Sequence, residues 1–159
     1  MELFELTTMC AITDNGKVLM INRRKSWKGW AFPGGHLEHN ESVLACVKRE
    51  LFEETGLVIE DIHFKGITDI LNNDTKQRHI VFNFVAYSYH GICKEQCDEG
   101  ELAWIDMENI LNQELAEGME YRLPLFLESG VKELFIEWNE AKGYINVQYH
   151  GETCHGKKI

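Results

Sequence analysis

Residues 35–57 read GHLEHNESVLACVKRELFEETGL, from Gly35 to Leu57, and they are the most informative run in this chain. The second half has helical spacing. Val43, Leu44, Val47 and Leu51 recur at three- and four-residue intervals, which predicts one apolar stripe. Asn40, Glu41 and Ser42 supply polar residues suited to an N-terminal cap. Gly56 can take the left-handed conformation that stops a helix. On this helix Glu50, Glu53 and Glu54 are i, i+3 and i+4 neighbours, so three carboxylates share a face beside the apolar stripe. The acids are therefore expected at the rim of the buried face, where a cleft can form.

Such a cluster is unfavourable in a plain helix. Like charges at i, i+4 cost about 0.2–0.5 kcal/mol per pair. Acids near the C-terminus also meet the negative end of the macrodipole. Arg49 can reach Glu53 at i+4, which compensates in part. Two readings follow from the residues: a solvated acidic face, or a site for a hard divalent cation. Mg²⁺ takes oxygen ligands and commonly shares its shell with substrate phosphates.

The complete spacing separates these readings. Gly35, five residues, Glu41, seven residues, then Arg49-Glu50-Leu51-x-Glu53-Glu54-x-Gly56-Leu57 resembles the Nudix box at every fixed position. The chain is thus similar to the Nudix hydrolases, which cut nucleoside diphosphates linked to another group. The resemblance implies an α+β fold, a mixed β-sheet sandwiched between α-helices. It implies hydrolysis of a nucleoside triphosphate to a monophosphate and pyrophosphate, with Mg²⁺ (or Mn²⁺) as cofactor. It also implies roles: Glu53, Glu54 and the Gly35 carbonyl as metal ligands, and Glu50 at the metal as base or water-orienting group. Arg49 would hold Glu53, and Glu41 would structure the box.

Composition is consistent with one globular domain. The 159 residues are 44% hydrophobic and 26% charged. One domain is expected over 1–150, with a polar, frayed tail over 151–159. The net charge of −10 should repel nucleic acid polymers and anionic membranes. The expected partner is a small nucleotide, whose phosphates would need a metal or local arginines. No secretory signal and no apolar run near ~18 residues is visible, so a cytoplasmic protein is expected. The five cysteines are read as free thiols, Cys46 on the helix as a small core residue, and the irregular Cys93, Cys97, Cys154, His155 set as a poor zinc site. The sequence carries no signal of oligomeric state.

Outside the box, Glu5 to Ile12 and Val18 to Asn22 predict an early hairpin around Asp14-Asn15-Gly16. Arg23 and Arg24 follow, either as surface cations or as phosphate contacts; resemblance to MutT-like Nudix enzymes favours Arg24 as a nucleotide contact. Ser26 to Pro33 is expected as an aromatic loop. In it Phe32, ahead of Pro33-Gly34-Gly35, resembles a base-contacting phenylalanine. Val58 to Leu71, irregular at Gly66, and Arg78 to Tyr89 read as strands. Arg78 resembles an arginine near the nucleotide, and His79 receives no role. The resemblance also implies one more metal carboxylate ahead of Trp104: Glu99 first, Glu101 second, Asp98 third. A helix is expected over Glu120 to Glu128 with Pro124 near its first turn. Glu117, Glu120, Arg122 or backbone near Phe32 could face a purine. Among oxidised purine triphosphates such as 8-oxo-dGTP, a carboxylate there would accept from the N7–H that plain dGTP lacks. Leu134 to Trp138 and Tyr144 to Tyr149 predict a second hairpin covering a sheet edge.

Overall fold

The structure is a computed structural model and describes residues 3–152 and 157–158. Strand β1 (Phe4–Asp14) turns at Asn15-Gly16 into β2 (Lys17–Arg23), with Thr13 opposite Val18. Both turn residues have positive φ, 48° and 78°. This is the hairpin conformation that Asn-Gly favours. The expected aromatic loop is more regular than its sequence suggests. It contains β3 (Gly29–Ala31), paired with β2, and leads into β4 (Gly34–His36), paired with β1.

Helix α1 (Val43–Thr55) follows, then β5 (Val58–Asn72), β6 (Arg78–His90), β7 (Gln96–Cys97) and β8 (Gly100–Asp106). A 3-10 segment (Met107–Asn112), α2 (Met119–Leu127), β9 (Val131–Asn139), β10 (Gly143–Gly151) and β11 (Lys157–Lys158) complete the order. Among the described residues the sheet runs β11-β10-β9-β5-β6-β1-β2-β8-β7, with β3 on β2 and β4 on β1. The β1/β6 and β5/β9 pairs are parallel and the rest antiparallel, so the sheet is mixed.

Strand alternation separates two cores. Cys10, Ile12 and Leu19 pack with Val47 and Leu51 of α1. Met9, Ala11, Val18 and Met20 pack with Met119, Leu123 and Phe126 of α2. Successive residues of β1 and β2 thus face opposite layers, and a helix covers each. This is the expected α+β sandwich.

Ser42 caps α1 by accepting from Ala45 N–H at 3.1 Å, and Gly56 ends it at φ 79°. The buried face differs from the expected stripe. It consists of Cys46, Val47, Leu51 and Thr55, while Leu44 is 46% exposed. Cys46 is buried, as expected of a small core residue, and packs under β4 with Sγ 3.5 Å from the His36 carbonyl. Pro124 is the sixth residue of α2, not in its first turn. The helix therefore lacks one interior N–H donor. The second hairpin covers a sheet edge as expected, and does so by extending the sheet, with β9 paired in parallel with β5.

At the C-terminal end, His150 and Gly151 belong to β10, and Lys157–Lys158 pairs with Gln148 and Tyr149. The rest of the expected tail, 153–156 and 159, lies outside the described residues, including Cys154 and His155. Cys10, Cys46, Cys93 and Cys97 carry free thiols. Among the described residues no helix is long and apolar enough to cross a membrane.

Candidate active site

Arg49 is the hub of the box. Its Nη2 and Nε donate to the two Glu41 carboxylate oxygens at 2.7 and 2.9 Å. Its Nη1 donates to Glu50 at 3.0 Å and Glu53 at 3.2 Å, and Nη2 also reaches the His36 carbonyl at 3.1 Å. The two-pronged match to Glu41 is the strongest of these contacts, and it holds the Glu41 carboxyl down at about 2. Glu41 also accepts from Glu38 N–H at 2.9 Å. Glu41 therefore ties the loop before α1 to Arg49, and Arg49 steadies both Glu50 and Glu53.

A cleft of about 420 Å³ opens beside this hub. Glu50, Glu54 and Glu99 line it together with Gly35, Arg23 and Phe32. The Glu50 carboxylate lies directly over Gly35, so a Cβ at that position would collide with it. Burial raises the Glu50 carboxyl, and Arg49 opposes that rise. Glu54 is pushed up to about 8, first by burial and then by the charges of Glu50 and Glu99. Glu99 sits at the turn between β7 and β8. Its carbonyl accepts from Arg24 N–H at 3.0 Å and its carboxylate is 3.7 Å from Arg23 Nη2.

Several candidates fall outside the cleft wall. Glu53 is 56% exposed and paired with Arg49. Arg24 points to Glu101, 3.6 Å away, and Glu101 also accepts from Asn22 at 3.3 Å. Arg78 donates to Asp69 at 2.8 Å and lies over the Phe135 ring. Its neighbour His79 lines the cleft instead, 2.7 Å from Thr7 Oγ1, because successive strand residues face opposite ways. Glu120 is exposed in the first turn of α2, away from the cleft, whereas Glu117 and Arg122 line it. Phe32 is only 2% exposed and packs edge-on against Phe126, 4.8 Å between ring centres. It contributes floor to the cleft while belonging to the core.

Arg122, one of the candidates to face a purine, is more deeply buried than its sequence context suggests. Part of its side chain forms cleft wall, but its Nε is shut off from solvent and has no partner among the described residues. Its recorded contact is Nη1 to Met9 Sδ at 3.8 Å. Burial lowers its guanidinium to about 10. No spacing in the sequence marks this burial, which arises where α2, β1 and the second hairpin meet.

The donor set suits a hard cation. Glu50, Glu54 and Glu99 line one cleft with Gly35, and Glu54 is raised by burial first and by the charges of Glu50 and Glu99 after it. Among the described residues no three acidic, imidazole or thiol side chains already enclose one point.

The fold and this site define a hydrolase class that works on phosphate anhydrides. Residues 3–126 match the NUDIX domain model, and the chain belongs to the Nudix family as a Nudix pyrophosphohydrolase. It is 37% identical over 124 residues to the uncharacterized Nudix hydrolase YvcI of Bacillus subtilis, covering 74% of this chain and 76% of that one. It is 30% identical over 128 residues to phosphatase NudJ of Escherichia coli K12, covering 78% and 79%. Among solved structures, the MutT protein from Bacillus halodurans superposes with a TM-score of 0.80 at 27% identity, over 91% of this chain and 97% of that chain. The NUDIX domain of Shewanella oneidensis NrtR, solved with ADP ribose, shares the fold at 20% identity with a TM-score of 0.64, over 80% and 88%.

Proposed function

We propose that this chain hydrolyses nucleoside triphosphates to the monophosphate and pyrophosphate with Mg²⁺ or Mn²⁺, and that it prefers oxidised purines such as 8-oxo-dGTP. The observation that carries this is one cleft joining two chemistries. Glu50, Glu54, Glu99 and Arg23 supply a polar wall, and Phe32, Trp27 and Met119 supply an apolar one. A nucleotide needs both, one for its phosphates and one for its base. The retained box carboxylates favour an enzyme over a nucleotide-binding sensor.

A bound Mg²⁺ would supply charge screening of the polyphosphate and polarisation at phosphorus. Glu54, Glu99, Glu50 and the Gly35 carbonyl would hold it, with Glu53 reaching it from the rim. Glu50 is steadied by Arg49 and has a raised carboxyl, so it is suited to accept a proton from the attacking water. Arg23 offers a guanidinium to a phosphate oxygen. At the base end, the Glu117 carboxylate can accept from the N7–H of 8-oxo-dGTP and repel the N7 lone pair of dGTP.

The test is a pyrophosphate-release assay over 8-oxo-dGTP, dGTP, ADP-ribose and Ap₄A, with and without EDTA. Full loss in EDTA and a higher kcat/KM for 8-oxo-dGTP than for dGTP are expected. Activity surviving EDTA would remove the metal. Equal kcat/KM for the two guanine nucleotides, or a larger one for ADP-ribose or Ap₄A, would remove the oxidised-purine preference.

A further inference from the structure

Behind the main cleft lies a second, smaller cavity of about 30 Å³. Trp27, Glu117 and Arg122 line both, so the two spaces share a wall. Trp138, Gly143 and Tyr144 close the far side of the smaller one. They come from the β9–β10 hairpin, beyond residue 126 where the family match ends. The C-terminal hairpin therefore supplies one side of this cavity, and Trp27, Ile70, Glu117 and Arg122 supply the other. Its volume admits a group the size of one or two waters. A whole purine ring does not fit, but an exocyclic substituent projecting from a base in the main cleft does.

The chemistry of the shared wall is asymmetric. Arg122 is a donor with no acceptor capacity, and its buried Nε lacks a partner. An unsatisfied buried donor favours a ligand that brings an acceptor. Glu117, when ionised, is an acceptor only. Among the described residues these two form no ion pair with each other, so neither satisfies the other's polar atoms. The complementary ligand edge is a carbonyl next to a ring N–H. An exocyclic amine next to a bare ring nitrogen presents the reverse pattern: a donor to a donor and an acceptor to an acceptor.

We infer that Arg122, with Glu117, is the specificity-determining element of this chain, accepting bases that present a C=O/N–H edge and rejecting bases that present an amino edge. This inference rests on the nucleotide-hydrolase reading above but not on the preference for oxidised purines. Both hypoxanthine and guanine carry the edge at C6 and N1, and 8-oxopurines carry a second at C8 and N7. Adenine has neither.

The decisive series is dITP, dATP and the triphosphate of unsubstituted purine deoxyriboside, which differ only at the six-position edge. Wild-type kcat/KM is expected to fall in the order dITP, unsubstituted purine, dATP, with dITP over dATP by ~10- to 100-fold. Calorimetric binding of dIMP and dAMP should show the same preference without turnover. In Arg122→Met, which keeps much of the volume but removes the donors, the dITP-to-dATP ratio should collapse to within about threefold. The unsubstituted purine outrunning dITP would mean that size and not a donor sets the preference. A ratio near one in the wild type, or a ratio surviving in Arg122→Met, would overturn the assignment. Equal losses on all three nucleotides in the variant would make Arg122 a phosphate contact and overturn it too. If Arg122→Met fails to fold, Glu117→Gln at the exposed partner position decides: the dITP-to-dATP ratio should fall, and an unchanged ratio would overturn the assignment. Should 8-oxo-dGTP and dGTP prove equal while dITP still exceeds dATP, the oxidised-purine reading fails and this one stands.

Discussion

Replacing Glu54 by Gln should stabilise the metal-free protein while disabling it as an enzyme. Glu54 is held at about 8 by burial and by Glu50 and Glu99, against an ordinary value of 4.5. Between those values the folded state keeps the proton that the unfolded state has lost. The folded state therefore binds more protons, and stability falls as pH rises through that window. Below pH 4.5 both states are protonated and the penalty vanishes. At about 1.4 kcal/mol per unit, the penalty at pH 8 is on the order of 4 kcal/mol. Local relaxation toward the open cleft recovers part of it, so the expected gain for Glu54→Gln is roughly 2 kcal/mol at pH 8. It should shrink to under about 1 kcal/mol at pH 5. Glutamine can still accept the Gly34 N–H through its amide oxygen. Urea unfolding of both proteins in EDTA at several pH values measures the gap directly. Adding Mg²⁺ should stabilise the wild type more than the variant, because the variant has lost one of the carboxylate charges that would hold the ion. Parallel stability curves for the two proteins from pH 5 to 8 in EDTA would refute the reasoning, since no proton would then be linked to Glu54.

In turnover assays at low Mg²⁺, Glu54→Gln should lose more activity than Glu53→Gln, because Glu54 lines the cleft and Glu53 sits on the rim against Arg49. Comparable losses would place Glu53 in the metal site on equal terms. Glu99→Gln should lower kcat more than Glu101→Gln, as Glu99 faces the cleft while Glu101 pairs with Arg24; the opposite ranking would move the extra carboxylate. Ser42→Ala should cost about 1 kcal/mol in chemical unfolding by removing the cap on Ala45 N–H, and no measurable cost would mean that another group satisfies that donor.

The box was legible because its function depends on local spacing. A helix brings i, i+3 and i+4 residues together whatever surrounds it, so Glu50, Glu53 and Glu54 could be grouped from the sequence. The cap at Ser42, the stop at Gly56 and the Asn15-Gly16 hairpin are also local and appear where expected. The buried face of α1 was less legible. Cys46 is buried as read, but Leu44, with the better apolar side chain, is exposed, because β4 passes over Cys46, a contact set by pairing with β1.

The sequence by itself determined the Nudix family and the helix bearing the carboxylates, since both rest on closely spaced residues of one segment. Only the tertiary structure decided which candidates share the cleft. Glu99 joins Glu54 across 45 residues because β2 pairs with β8, and that pairing also aims Arg24 away. His79 faces the cleft in place of Arg78 because the parallel β1–β6 register fixes which strand face points there. Arg122 meets Trp138 and Tyr144 at the second cavity because β9 adds to the far edge of β5. Those meetings depend on strand register and layer packing over long separations, and no single segment encodes them.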